Sequence, residues 1–115
     1  MLYNLEERTA LFGENIIEFC KTIKQDAISK PIISQLIRSA TSIGANYMEA
    51  NSASSKRDFQ NKIFICKKEA QETKHWLRML SKIVPQKMKE LRCLWRESQE
   101  LTLIFQKITS SLRKK

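Results

Sequence analysis

The sequence predicts an all-α fold, an antiparallel up-down-up-down four-helix bundle, and three observations carry that expectation. Apolar residues recur at alternating spacings of three and four through four long segments, the pattern of one helix face. The chain has 115 residues but only two glycines and two prolines, too few for the many tight turns of a β-rich fold. The breaks between segments span a few residues, which makes sequential helices antiparallel neighbours crossing at about 20°. With 42% hydrophobic residues, the chain is expected to form one domain, residues 1–115, around a single core.

The first helix is expected over about residues 4–26. Asn4 can cap it with Glu7 completing a capping box, and its seam runs Leu5, Thr9, Phe12, Ile16, Phe19, Ile23. Asp26-Ala-Ile-Ser-Lys-Pro31 interrupts the pattern, with Ser29 as the expected cap of a second helix over about 31–51 and Pro31 in its first turn. That helix reads Ile33, Leu36, Ala40, Ile43, Tyr47, Ala50. Ser55 and Asp58 form a fresh capping box for a third helix over about 55–84, whose seam is Phe59, Ile63, Cys66, Ala70, Thr73, Leu77, Leu80, Val84. Pro85 ends it. A fourth helix, about 86–112, carries Leu91, Leu94, Ser98, Leu101, Phe105, Ile108 and Leu112.

Two features exceed a generic bundle. The small residues Ser39, Ala40, Ser42, Gly44 and Ala45 predict a close crossing of the second helix, which offsets the roughly 1 kcal/mol that Gly44 costs in helix propensity. Apolar groups off the seams, Ile17, Phe64, Ile65, Trp76, Met79 and Ile83, would be left wet in a monomer and predict a homo-oligomer. Polar groups also crowd the seams. Asn46, Glu49, Glu69 and Glu72 each lie within one residue of a core position, where a carboxylate is costly unless paired. Arg38 and Asn46 are expected to satisfy the third helix's glutamates, fixing how the helices dock rather than performing acid–base chemistry.

The net charge of +9 is unevenly spread. Residues 1–52 carry five basic and six acidic groups, residues 53–96 twelve and four, and residues 97–115 four and two. Lys67, Lys74, Arg78 and Lys82 form a row on the third helix, and Lys89, Arg92 and Arg96 a row on the fourth. Such rows read either as plain solvated surface or as a binding face; an excess of this kind attracts polyanions, with phosphates and shape read ahead of base sequence. Trp76 and Tyr47 could stack on bases, though their places in or beside the seams favour packing. Glu72-Thr-Lys-His75 matches the Glu-x-x-His element of di-metal bundles, but the chain has one histidine and lacks the second copy, so no metal or other cofactor is expected. Nor is catalysis: no nucleophile elbow or phosphate-binding loop accompanies the glutamates. Cys20, Cys66 and Cys93 read as small hydrophobes in helical patterns. Charges in MLYNLEERTALF replace the apolar run of a signal peptide, and no stretch reaches the roughly 20 apolar residues of a membrane span, so a cytoplasmic location is expected.

The combination Ser42-Ile-Gly-Ala-Asn-Tyr-Met-Glu-Ala50, Ser55-Lys-Arg-Asp-Phe59, Lys68-Glu-Ala70 and Glu72-Thr-Lys-His-Trp-Leu77 resembles the bacterial four-helix proteins encoded in intervening sequences of 23S rRNA genes. The resemblance covers the first three helices. It implies a small antiparallel bundle, assembly into a homopentameric ring, and a polar signature at Ser42, Asn46, Glu49, Glu69 and Glu72. His75 stands where such proteins commonly have tyrosine. The family has no established enzymatic activity, and the location of its genes suggests association with nucleic acid. In architecture alone the chain is also similar to the basic, pentameric accessory proteins of diversity-generating retroelements, which work with a reverse transcriptase and RNA. The reading favoured by all these features is a non-catalytic oligomer that binds RNA or DNA through Lys67, Lys74, Arg78, Lys82, Lys89, Arg92 and Arg96, with the C-terminal tail. A protein-interaction scaffold is the alternative, and a metal-dependent oxidoreductase a distant third.

Overall fold

The computed structural model describes residues 4–113. Among them are four α-helices and no strand: α1 (Leu5–Cys20), α2 (Ser29–Asn51), α3 (Lys56–Ile83) and α4 (Met88–Arg113), with a short 3-10 turn at Pro85–Lys87 leading into α4. The helices are long because nothing inside them breaks the pattern, and they stop where capping chemistry stops them. Asn4 Oδ1 accepts from Glu7 N at 3.0 Å, and Ser55 Oγ accepts from Asp58 N at 3.0 Å, so α1 and α3 begin where side chains satisfy otherwise unpaired N–H groups.

Two expected ends move. The chain leaves α1 at Cys20, although helix was expected to about residue 26. Thr22 N and its hydroxyl both donate to Phe19 O, at 3.0 and 2.6 Å, and Ile23 N donates to Cys20 O, tightening the last turn until the chain turns away. Ile23 is still buried, so the apolar spacing continues past the helix that produced it. At the start of α2 the cap is Asp26 instead of Ser29. Asp26 Oδ1 accepts from Ile28 N and Ser29 N, both at 2.9 Å, while Ser29 Oγ accepts from Asp26 N and donates to Lys24 O. These N–H donors, Ser29's ahead of Ile28's, hold the Asp26 carboxyl below the usual carboxylate range. Lys30 N already donates to Asp26 O at 3.0 Å, so Pro31 follows one residue later, just past the N–H groups that a helix start leaves free.

The core is built by the seams. Phe12, Ile16, Leu36, Ile43, Ile63, Leu77, Leu80, Leu101 and Phe105 are fully buried side chains among the described residues, and Tyr47, Phe59, Leu94 and Ile108 pack against them. Buried hydroxyls are paired: Thr73 Oγ1 meets Ser39 Oγ at 2.9 Å and Glu69 O at 2.8 Å, and Ser98 Oγ donates to Ala70 O. The small residues of α2 let α1 come close. A methyl group built at Gly44 would lie 3.3 Å from Thr9 Oγ1, whereas one at Gly13 would meet Thr41 Cα at an ordinary 3.5 Å.

Three packing expectations change. Trp76 and Ile83 lie partly buried against the core, because α3 is flanked by both α2 and α4 and its covered arc is wider than one stripe. Ile65 and Met79 are half-buried. Cys93 is exposed on α4, unlike Cys20 and Cys66, whose burial pushes their thiols up to about 11 and about 12.

Candidate nucleic-acid interface

Each ion pair between helices sits at a seam. Arg38 reaches from α2 to α3, its Nη2 2.5 Å from Glu72 Oε1 and its Nη1 3.3 Å from Glu69 Oε1. Its Nε donates to Gln35 at 3.1 Å. Glu69 is only 8% exposed, so this guanidinium makes the position tolerable for a carboxylate. Asn46 does not join: its Nδ2 donates to the carbonyl of Ser42 in the preceding turn, at 2.8 Å. Ser42 turns back likewise, donating to Arg38 O. Glu49 takes Lys62 at 2.7 Å, which raises the pKa of that lysine. The Arg38, Ser42, Asn46, Glu49, Glu69 and Glu72 set is thus one interhelical fork, one further ion pair and two helix-internal hydrogen bonds.

A second fork was not anticipated. Arg8 on α1 grips Glu97 of α4 with Nε and Nη2, at 2.6 and 2.7 Å, and its Nη2 also reaches Glu100 at 2.8 Å. The bond to Glu97 is the main cause that raises the Arg8 pKa. It closes the thinnest seam of the fold, between α1 and α4. Arg8, Glu97 and Glu100 each adjoin a core position, Thr9, Ser98 and Leu101, so the rule that singled out Glu69 and Glu72 would have found them.

The forks matter for what they remove. Of the six acidic residues on α3 and α4, Glu69 and Glu72 turn toward α2 and Glu97 and Glu100 toward α1, while Asp58 and Glu90 sit in the first turns of their helices. The band between α3 and α4 keeps its cations. Lys67 and Lys74 lie half-buried along it, each held by a neutral amide: Lys67 Nζ donates to Gln106 Oε1 at 2.8 Å, and Lys74 Nζ donates to Gln99 Oε1. Each also sits over an aromatic ring, Lys67 5.1 Å from the centroid of Phe64 and Lys74 5.3 Å from that of Trp95. Arg78, Lys82, Lys89, Arg92 and Arg96 are exposed, and none of the seven candidate cations is in an ion pair among the described residues. Arg78 and Arg92, from different helices, line one shared groove with Trp95. Lys89 lines another, between α1 and α4, with Asn15, Phe19, Glu90 and Cys93. Trp95 directly follows Leu94, so the apolar spacing of α4 hides it; of the two aromatics that the sequence offers for stacking, Tyr47 packs on Phe105 and Trp76 on His75.

Among the described residues, no group of three or more His, Cys, Asp or Glu side chains is placed to hold a metal ion, and no helix is long and apolar enough to cross a membrane.

None of the curated proteins matches the chain. Its fold is similar to the 1.70 Å crystal structure of a protein of unknown function from the S23 ribosomal protein family of Bacteroides thetaiotaomicron. The two are 30% identical, with a TM-score of 0.81, over 90% of this chain and 96% of that one. A sequence model of the family described as 23S rRNA-intervening sequence protein matches residues 5–107. Coverage of nearly the whole four-helix fold, together with that structural likeness, places this chain in the 23S rRNA-intervening sequence protein family.

Proposed function

We propose that this chain is a non-catalytic, antiparallel up-down-up-down bundle that assembles with copies of itself and binds RNA or DNA through the α3/α4 face. One observation carries the binding reading: four of the six carboxylates of α3 and α4 are drawn to the seams by Arg38 and Arg8, leaving Asp58 and Glu90 in the first turns of their helices, while none of the seven candidate cations has an acidic partner among the described residues. A surface whose acids are segregated from its bases presents an undivided positive field to phosphates. The descriptions of the family and of its structural neighbour, which refer to 23S rRNA and to ribosomal protein, favour RNA.

The antiparallel reading is supported by register. Along α1 and α2 the meeting pairs are 6 with 51, 9 with 44 and 13 with 41, and along α2 and α3 they are 38 with 72, 43 with 66 and 49 with 62. Self-assembly, as the pentameric ring that the resemblance implies, is supported by Leu11, Met48, Phe64 and Leu103, each at least half exposed.

The test is a salt titration of RNA binding by fluorescence anisotropy. Affinity should fall steeply between about 50 and 200 mM salt, and Arg78→Glu with Arg92→Glu should weaken binding and flatten the salt slope by about 2. Retention of no RNA or DNA at 50 mM salt would refute the reading and leave a protein-interaction scaffold in its place.

A further inference from the structure

Between α3 and α4, beside the Pro85–Lys87 turn, lies a cavity of about 190 Å³ whose lining includes Arg78, Ser81, Met88, Arg92 and Trp95. Its chemistry is uneven. The polar groups are two guanidiniums and a hydroxyl, with no carboxylate in the lining, while its walls are apolar and include one indole. Trp95 is 41% exposed; among the described Phe, Tyr and Trp rings only Phe64, further along the same band, is also exposed. The ring is not loose. The Lys74 ammonium lies 5.3 Å from its centroid and is itself fixed by Gln99.

An occupant of this groove must combine a flat apolar ring with negative charge beside it. Building on the nucleic-acid reading above, we propose that the groove takes one unpaired nucleotide of a single strand. Its base lies on Trp95 and its phosphate is gripped from both helices by Arg78 and Arg92. Arginine suits this role because its planar fork meets phosphate oxygens in pairs and keeps its charge at any working pH. In a duplex the bases are stacked on each other and only backbone and edges face outward, so a duplex can use the cations but not the indole. Stacking on Trp95 therefore adds strand-state selectivity to a surface whose charge alone would bind both forms.

The chain has two tryptophans, Trp76 and Trp95, so Trp76→Phe leaves Trp95 as the sole reporter. In that background a single-stranded oligouridylate of about 12 nucleotides should quench Trp95 emission, and a blunt-ended RNA duplex of the same length should not. Trp95→Ala should weaken single-strand binding about 5- to 150-fold, the range expected when one base–aromatic stack is lost, with duplex affinity and the salt slope unchanged. Trp95→Phe should recover most of the loss. Far-UV circular dichroism checks that the variants remain helical. Salt-dependent binding of both RNAs with Trp95 emission unmoved, or equal loss of both in Trp95→Ala, would overturn the stacking site and leave the basic face standing. Absence of all RNA binding at low salt would overturn both.

Discussion

Arg38→Met removes the guanidinium of the α2/α3 fork and keeps much of its aliphatic stem. What remains is Glu69, 8% exposed, with no other side-chain partner among the described residues, and a half-buried Glu72 that has lost its 2.5 Å contact. Stranding one charge of a fully buried pair costs about 3–5 kcal/mol. Arg38 is 45% exposed by side chain, so water already screens part of the attraction and can hydrate what is left. A loss of about 1.5–3 kcal/mol follows, or roughly 6–12 °C in Tm for a domain of this size. Urea unfolding monitored by circular dichroism measures it. The decisive arm is the double variant Arg38→Met with Glu69→Gln, which removes the stranded charge and should recover about 1 kcal/mol or more relative to Arg38→Met alone. A single-variant cost below about 0.5 kcal/mol, or no recovery in the double, would show that Glu69 does not depend on the fork and that the carboxylates at this seam are not there for docking.

Asp26→Asn should lower the urea midpoint at pH 7. Because the folded state holds the Asp26 carboxyl below its ordinary pKa of about 3.9, the stabilisation is present above that value and disappears as pH falls through the lowered one; a wild-type-to-variant gap that stays constant down to low pH would refute the cap. Gly13→Ala, with ordinary contacts at 3.5 Å, should gain up to about 1 kcal/mol of helix propensity, whereas Gly44→Ala must displace Thr9 Oγ1, which is bonded to Glu6 O, and should be the less stable of the two in thermal melts. A disulfide reagent should modify one thiol per native chain, exposed Cys93, with Cys20 and Cys66 reacting only on unfolding. Fast modification of two or three thiols in the native protein would contradict their burial.

What the sequence made legible was the identity of the buried face. Spacing reports which side chains share a face, and the seams from Leu5 to Phe105 are the core. It does not report where the backbone stops being helical: Ile23 keeps its place in the apolar pattern after α1 has ended at Cys20, because a turn can deliver a side chain to the same core. Nor does spacing assign donors. Asp26 and Ser29 form a reciprocal pair in which either could have been the cap, and only their geometry decides it. Asn46 stood close enough to the α3 glutamates in pattern, yet the carbonyl one turn back was the nearer acceptor. On the candidate face the basic rows were readable and Trp95 was not, since adjacency to Leu94 disguises a ring that lies at the edge of the seam.

Lys67 and Lys74 are anchored in the α3/α4 seam by Gln106 and Gln99, and the choice of amide over carboxylate separates two tasks that a glutamate would merge. An amide oxygen orders the lysine without neutralising it; a carboxylate would order it more strongly and cancel its charge. Elsewhere in the same fold, where only docking is at stake, the partners are carboxylates, as in Arg8 with Glu97 and Arg38 with Glu72. Gln99→Glu should therefore stabilise the fold by about 0.3–1 kcal/mol through a part-buried pair with Lys74, while weakening RNA binding and flattening the salt slope by about 1. Stability and binding moving in opposite directions is the signature of a lysine kept free for phosphate. If Gln99→Glu raised stability and left the slope untouched, Lys74 would be a structural strut, and the interface would rest on Arg78, Arg92 and the outer cations alone.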